Sequence, residues 1–512
     1  MSIVRTIFTV SGLTAISRVL GLAREMLQSR LIGAGVEQSA FVLAFAIPNM
    51  ARKLFGEGAL TAAFVPIFKA EVERGELESA RHLARAVMTM VMLMLGAIVL
   101  MTVIGLSVWL NLGDGLSERM RLTLRLIRIL FPYMLFICGA AFGMGVLNAL
   151  GRFVEGALMP AMLNVLWIGV LAALSFFPGI TIANRIIAVC FAILFGGVAQ
   201  MAFLFSCMSR RGFSPKPIFT GLLDANARLV WRNTFVAAIG AGAIQINYML
   251  DQLLAQCAAP WAAGVIGYAE RLMDLPLGVI GVAFGTVLLP TFAGFFARDD
   301  IEGARKSLGE SIVHLMFGML PAAAGLFILA PEITAVIYEG NAFDASATTR
   351  VSRALAVYAL GLGFFGYQKS MIPWFQAQND MKTPLKISLM TVLVNAILNI
   401  LAVCLLPVEW RHVGLAGSTV VCAAIGCAWL TVLARRKNGT LGLGRSMISI
   451  SKILFASIAM AIVVYLARLS LPEIGKLAKL AVLIAIGISA YGILALCFRL
   501  RFRRDCSTIT PS

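Results

Sequence analysis

Residues 10–35 read VSGLTAISRVLGLAREMLQSRLIGAG, and residues 41–68 read FVLAFAIPNMARKLFGEGALTAAFVPIF. Both runs are apolar enough to cross a bilayer as helices, yet the first carries Arg18, Arg24 and Glu25 and the second Arg52, Lys53 and Glu57. A charge at the bilayer centre costs from about 2.5 to over ~10 kcal/mol, so such residues face a water-filled interior and mark a substrate path. The surplus of arginine makes that path one for an anion.

The whole chain of 512 residues is 60% hydrophobic and 13% charged, with a mean hydropathy of +0.90. No soluble core requires that much apolar surface, so the class is integral membrane. The net charge of +18 would point to nucleic acid in a soluble protein. Here no polar domain exists to carry such a partner, and the charge is read loop by loop. The nine cysteines are scattered through apolar runs without C-x-x-C spacing and read as small core residues. Only Arg5 precedes the first apolar run, which Arg18 interrupts early, so that run reads as a retained helix and not as a cleaved signal.

Apolar runs of roughly 20 residues recur about fourteen times, each able to span ~30 Å of hydrocarbon. The fold class is therefore all-α integral membrane with about 14 transmembrane helices. The second run (34–64) and the eighth (264–296) are too long for one straight crossing and are expected to bend or to project beyond the bilayer. The fourth is placed at 127–150. With the N-terminus inside, the cytoplasmic loops hold roughly 23 Lys and Arg against about 10 on the other side, which puts both termini in the cytoplasm.

Sliding the chain by 224 residues aligns Pro66 with Pro290, Phe68 with Phe292, Arg74 with Arg298, Glu78 with Glu302, Ala80 with Ala304 and Arg81 with Arg305. This is an orientation-preserving repeat of six helices. The expected organisation is a first lobe over 1–225, a second over 226–440, and two further helices with a basic cytoplasmic tail over 441–512. The repeat is asymmetric in charge: Arg18, Arg24 and Arg52 align with Gly242, Tyr248 and Pro276. The second lobe contributes Asp251, Glu270, Arg271 and Asp274, with Arg271 near the position equivalent to Arg52.

Guanidinium groups stay charged and grip oxygens in pairs through a planar fork, which suits a diphosphate. Arg18, Arg24, Arg52 and Arg271 are the candidate ligands, Glu25 joins the set, and Glu57 and Asp274 are candidate gating or charge partners. Arg18 and Glu25, seven apart, share a helix face, whereas Arg24 points about a third of a turn away. Asp251, with Asn395 and Asn399 at i, i+4 spacing, suits either a monovalent cation such as Na+ or plain interhelical hydrogen bonding. No other cofactor is indicated; coupling to an ion gradient or to the membrane potential is open. Gly361-Leu-Gly363-Phe-Phe-Gly366 matches a dinucleotide motif but lies in an apolar helix, so it reads as close helix packing, as do Gly139-x-x-x-Gly143 and Gly281-x-x-x-Gly285. With no P-loop, acid/base pair or metal cluster, the chain reads as a transporter and not an enzyme.

Three motifs carry a family resemblance: Ser17-Arg18-Val-Leu-Gly-Leu-Ala-Arg24-Glu25, then Pro48-Asn49-Met-Ala-Arg52-Lys53-Leu-Phe-Gly-Glu57, then Tyr268-Ala-Glu-Arg271-Leu-Met-Asp274-Leu-Pro276. They resemble the MurJ (MviN) lipid II flippases of the multidrug/oligosaccharidyl-lipid/polysaccharide exporter superfamily. The resemblance implies a multi-pass protein of the bacterial inner membrane that moves undecaprenyl-diphosphate-linked peptidoglycan precursor to the periplasmic leaflet by alternating access. Its implied partners are lipid II, membrane lipids and other cell-wall synthesis proteins. It maps cavity arginines onto Arg18, Arg24, Arg52 and Arg271, an acidic partner onto Glu25, and a sodium site onto Asp251, Asn395 and Asn399. Ser39 stands where the family often has an acidic residue. Another exporter of the same superfamily is the alternative.

Overall fold

The computed structural model describes residues 3–56, 59–113, 115–222, 224–472 and 474–498. Among them the chain is helical from end to end, and the only β pairing is one isolated bridge between Gly340 and Phe343. In order come α1 (Ile3–Ile32), α2 (Val36–Ala51), a π-helical turn (Arg52–Gly56), α3 (Ala59–Glu73), α4 (Leu77–Leu112), α5 (Glu118–Leu130) and α6 (Tyr133–Ala149). There follow α7 (Val154–Ser175), α8 (Ile182–Ser209), α9 (Ala225–Ala258), α10 (Ala262–Ala297), α11 (Ile301–Tyr338) and α12 (Ala345–Gln376). The last are α13 (Lys382–Leu405), α14 (Val408–Asn438), α15 (Gly444–Ser470) and α16 (Lys476–Cys497).

Nine helical stretches among the described residues are long and apolar enough to cross a membrane, namely α4, α5 with α6, α7, α8, α11, α13, α14, α15 and α16. The other expected spans also fall on helix: α1, α2 with α3, α9, α10 and α12. The second span is not one uninterrupted α-helix: Pro48 lies inside α2, and α2 passes into a π turn at Arg52–Gly56. The eighth does not break: α10 runs for 36 residues through Pro276 and Pro290, about 54 Å at 1.5 Å per residue, so it projects beyond the hydrocarbon. The fourth begins earlier than 127, since α5 starts after the Ser117 cap and the helix is interrupted at Phe131–Pro132.

The chain forms two compact units. The first holds residues through Gln256 together with Pro260–Gly264 and Gly340–Asp344; the second holds the remainder. Inside the first, α1 lies on α7 and α6 on α8, and the rings of Phe64 and Phe68 on α3 meet Phe142 on α6 and Phe213 beyond α8. Inside the second, α12 packs on α11 and α14, and α15 and α16 cover α11. In lipid, helices associate through close packing and not through hydrophobic expulsion. A methyl group at Gly139 would sit 2.9 Å from Met201 Sδ and one at Gly143 3.2 Å from Leu204 Cβ, so α6 lays these glycines against α8. The G-x-G-x-x-G run is likewise packing: a methyl at Gly361 would meet Val420 at 2.9 Å and one at Gly366 would meet Met319 at 3.0 Å.

The repeat seen in the sequence is built twice in atomic detail. Glu76 N–H donates to Glu71 C=O at 3.0 Å, and Asp300 N–H to Phe295 C=O at 3.0 Å; Leu77 N–H reaches Gly75 C=O at 2.9 Å, and Ile301 N–H reaches Asp299 C=O at 3.0 Å. The residue in the left-handed region is Gly75 in one copy and Asp299 in the other, the geometry that closes a helix with crossed 6→1 and short turn bonds. Phe68 and Phe292 are both fully buried, as are Ala80 and Ala304. Arg81 lies against Gly212 beyond the end of α8, and its counterpart Arg305 donates to Asn438 C=O at the end of α14.

Candidate functional site

Arg24 sits two-thirds of the way along α1, and three groups hold it. Its Nη2 pairs with Glu25 Oε1 at 2.5 Å, with both side chains 15% exposed. Its Nη1 donates to Asn164 Oδ1 of α7 at 3.0 Å, and its Cζ lies 4.3 Å from the centroid of the Trp167 ring. Asn164 in turn donates to Ser17 C=O at 3.1 Å. The pairing differs from the sequence reading, which grouped Glu25 with Arg18 by helical period. Adjacent long side chains swing together around the helix, and Glu25 meets Arg24. Arg18 is exposed on α1.

Arg52 opens the π turn of the second span. Its Nε and Nη2 both donate to Asn49 Oδ1, at 3.1 and 3.0 Å, so the guanidinium is aimed by a residue one turn earlier. A π turn widens the helix and is common at functional positions. Lys53 Nζ lies 5.4 Å from the centroid of the Tyr248 ring of α9, a cation–π contact. Glu57 lies outside the described residues.

On α10 of the second unit Arg271 and Asp274 are exposed, and Glu270 Oε1 accepts from Tyr358 O–H of α12 at 3.2 Å. Lys369 of α12, not singled out from sequence, is a further exposed cation. Its stem lies along Gly281, where a methyl would touch Cγ and Cε at 3.7 Å.

The first unit therefore holds a partly buried, acid-partnered arginine on α1 and an amide-braced one in the turn after α2. Guanidinium groups so placed have the chemistry to hold an anion; among the described residues no group of three His, Cys, Asp or Glu could hold a metal ion.

The family model described as "Lipid II flippase MurJ" matches residues 28–485. The chain belongs to the MurJ family. It is 34% identical to a probable lipid II flippase MurJ of Rhizobium tropici, over 97% of this chain and 94% of that one. It is 33% identical to the lipid II flippase MurJ of Burkholderia cenocepacia, over 86% and 85%. Among solved structures it is similar to a lipid II flippase MurJ in an inward closed conformation, with 25% identity, a TM-score of 0.79, and coverage of 96% of this chain and 99% of that one. An inward-facing multidrug MATE transporter of the MOP superfamily, with 16% identity and a TM-score of 0.66 over 85% of this chain and 98% of that one, shares the fold. MurJ proteins are transporters and not enzymes.

The sodium set implied by MurJ resemblance falls in both units. Asp251 of α9 accepts from Asn247 Nδ2 at 3.3 Å. Asn395 and Asn399 are buried on α13; Asn399 Nδ2 donates to Asn395 Oδ1 at 3.0 Å, and Ser418 O–H of α14 donates to Asn399 Oδ1. The one Ser418 proton is shared between Asn399 Oδ1 and Leu415 C=O, which accepts at 2.8 Å, and each amide oxygen keeps a second lone pair. In this structure the pair is engaged in hydrogen bonding between α13 and α14.

Two first-unit residues carry no sequence signal, and a third, Ser39, was marked only by its family position. Asn164 and Trp167 carry no charge and lie 140 or more positions from Arg24, so no local pattern exposes them. Ser39, fully buried, accepts Gly264 N–H at 2.9 Å, while its carbonyl accepts from Gln256 Nε2 at 2.6 Å. Its family position was the only available signal.

Proposed function

We propose that this protein moves lipid II, an undecaprenyl-diphosphate-linked precursor, from the cytoplasmic to the periplasmic leaflet of the bacterial inner membrane. Membership of the MurJ family supports the substrate. The observation that carries the mechanism is the Arg24–Glu25 pair, 2.5 Å apart with each side chain 15% exposed. In the empty protein Glu25 offsets the charge of Arg24, which lowers the cost of keeping it within the membrane. An arriving diphosphate offers more oxygens than one carboxylate and takes guanidinium donors through charge-assisted, paired bonds. Arg52 adds a second fork, with Arg18 and Arg271 contributing further positive charge. Asp274 serves as a charge partner.

Alternating access completes the cycle: a substrate that binds one state more tightly shifts the population toward it, and release resets the balance. The loop charges support cytoplasmic termini. A drug exporter for cations would call for an acidic pocket, and the partly buried ligands here are arginines.

The experiment is depletion of this protein in its host, followed by an assay of which leaflet holds the lipid-linked precursor. Precursor trapped on the cytoplasmic face is the expected result. Normal arrival at the periplasmic face, in a host with no second flippase, would refute the function.

A further inference from the structure

We propose that Asn164 and Trp167 of α7 are positioning residues that aim the Arg24 guanidinium at its anion, an inference that rests on reading Arg24 as a diphosphate ligand. The orientation of the Asn164 amide is set by its two neighbours. A guanidinium only donates and a backbone carbonyl only accepts, so Oδ1 must face Arg24, at 3.0 Å, and Nδ2 must face Ser17 C=O, at 3.1 Å. Asn164 is 6% exposed and so bridges the Ser17 backbone to a side chain seven residues further along α1. Gly21 lies between them, and a methyl there would stand in ordinary contact, 3.7 Å from Asn164 Nδ2.

Trp167 supports the same group from below. It is 2% exposed, and its ring is fixed edge to face by Phe41 and Phe45 of α2, at 5.7 and 5.8 Å between centroids. Its face, 4.3 Å from Arg24 Cζ, steadies the cation without consuming a donor. Asn164 and Glu25 each engage one of about five guanidinium N–H groups. The others remain in a plane whose tilt Trp167 sets and whose rotation Asn164 sets. A bidentate anion senses both.

The test uses the full chain in lipid nanodiscs, titrated with a short-chain prenyl diphosphate and, for comparison, with the prenyl monophosphate. Arg24→Ala should weaken diphosphate binding, and Asn164→Ala should weaken it about tenfold with an unchanged unfolding midpoint. Asn164→Asp should weaken it more, because a carboxylate there would compete with the ligand for Arg24. The deciding measurement is the double-mutant cycle: in the Arg24→Ala background the effect of Asn164→Ala should fall below about twofold. Trp167→Leu should behave in the same way, while Trp167→Phe, which keeps a ring face, should recover most of the affinity. If Asn164→Ala does not fold, the two Trp167 variants complete the cycle.

Equal losses with and without Arg24, or no loss, would overturn the positioning role while leaving the diphosphate reading intact. Unchanged binding by Arg24→Ala itself would refute that reading, and this inference with it.

Discussion

Gly75 and Asp299 occupy the same place in two copies of one turn, with φ of 80° and 54°, 224 residues apart. The left-handed conformation costs an ordinary L-residue roughly 1 kcal/mol, from which glycine is exempt and which Asp tolerates better than most. A methyl added at Gly75 meets nothing within 4 Å, so Gly75→Ala isolates the backbone term. It should lower stability by about 1 kcal/mol, whereas Asp299→Gly should stay within about 0.5 kcal/mol of the parent. Unfolding midpoints in detergent decide; an unchanged Gly75→Ala would remove the strain argument.

Arg24→Ala and Arg52→Ala, each supplied as the sole copy, should fail to support growth and should leave precursor on the cytoplasmic face. Arg24→Lys keeps the charge but loses the planar fork and should be intermediate. Full growth with Arg24→Ala would contradict the binding role.

Asp380, in the turn between α12 and α13, links local stability to pH. Burial pushes its carboxyl upward, but the Thr383 N–H, Lys437 and the Thr383 hydroxyl outweigh that and hold it below the usual carboxylate range. The resulting stability is fully present above the unfolded value of about 3.9 and is lost as pH falls through the lower folded value. Protection of the amides across residues 376–383, measured against their intrinsic exchange rate at each pH, should therefore fall below about pH 4. Asp380→Asn keeps the cap and should abolish that dependence; an identical pH profile in the variant would contradict the assignment.

Glu71, 3% exposed, accepts from Asn226 Nδ2 at 2.5 Å. Asn226→Ala strips a donor from a buried carboxylate and should cost about 1 to 3 kcal/mol. Adding Glu71→Gln to that variant should recover part of the loss, because the buried group is then neutral. The midpoints of the single and double variants check this, and a further drop in the double variant would count against it.

Replacing Na+ by K+ at constant ionic strength should leave transport unchanged if Asn395 and Asn399 serve only the hydrogen bonds they make here. A rate that collapses without Na+ would show that those bonds open for an ion.

Helical class, the run of spans and the repeat followed from the sequence because membrane crossing is local physics: about 20 apolar residues suffice, and backbone groups in lipid must bond within their own helix. The charges at Arg18, Arg24, Arg52 and Arg271 were legible for the same reason, since a charge stands out against an apolar run. What holds those charges was not legible. Asn164 and Trp167 are ordinary residues of an apolar helix until α7 lies on α1, and only then do an amide and a ring meet the guanidinium. Periodicity likewise assigned Glu25 to the face of Arg18, yet side-chain reach gave it to Arg24. The paired spacing of Asn395 and Asn399 was equally silent on their neighbour from α14, the Ser418 hydroxyl. A chain encodes which groups must be satisfied, and packing decides which partners satisfy them.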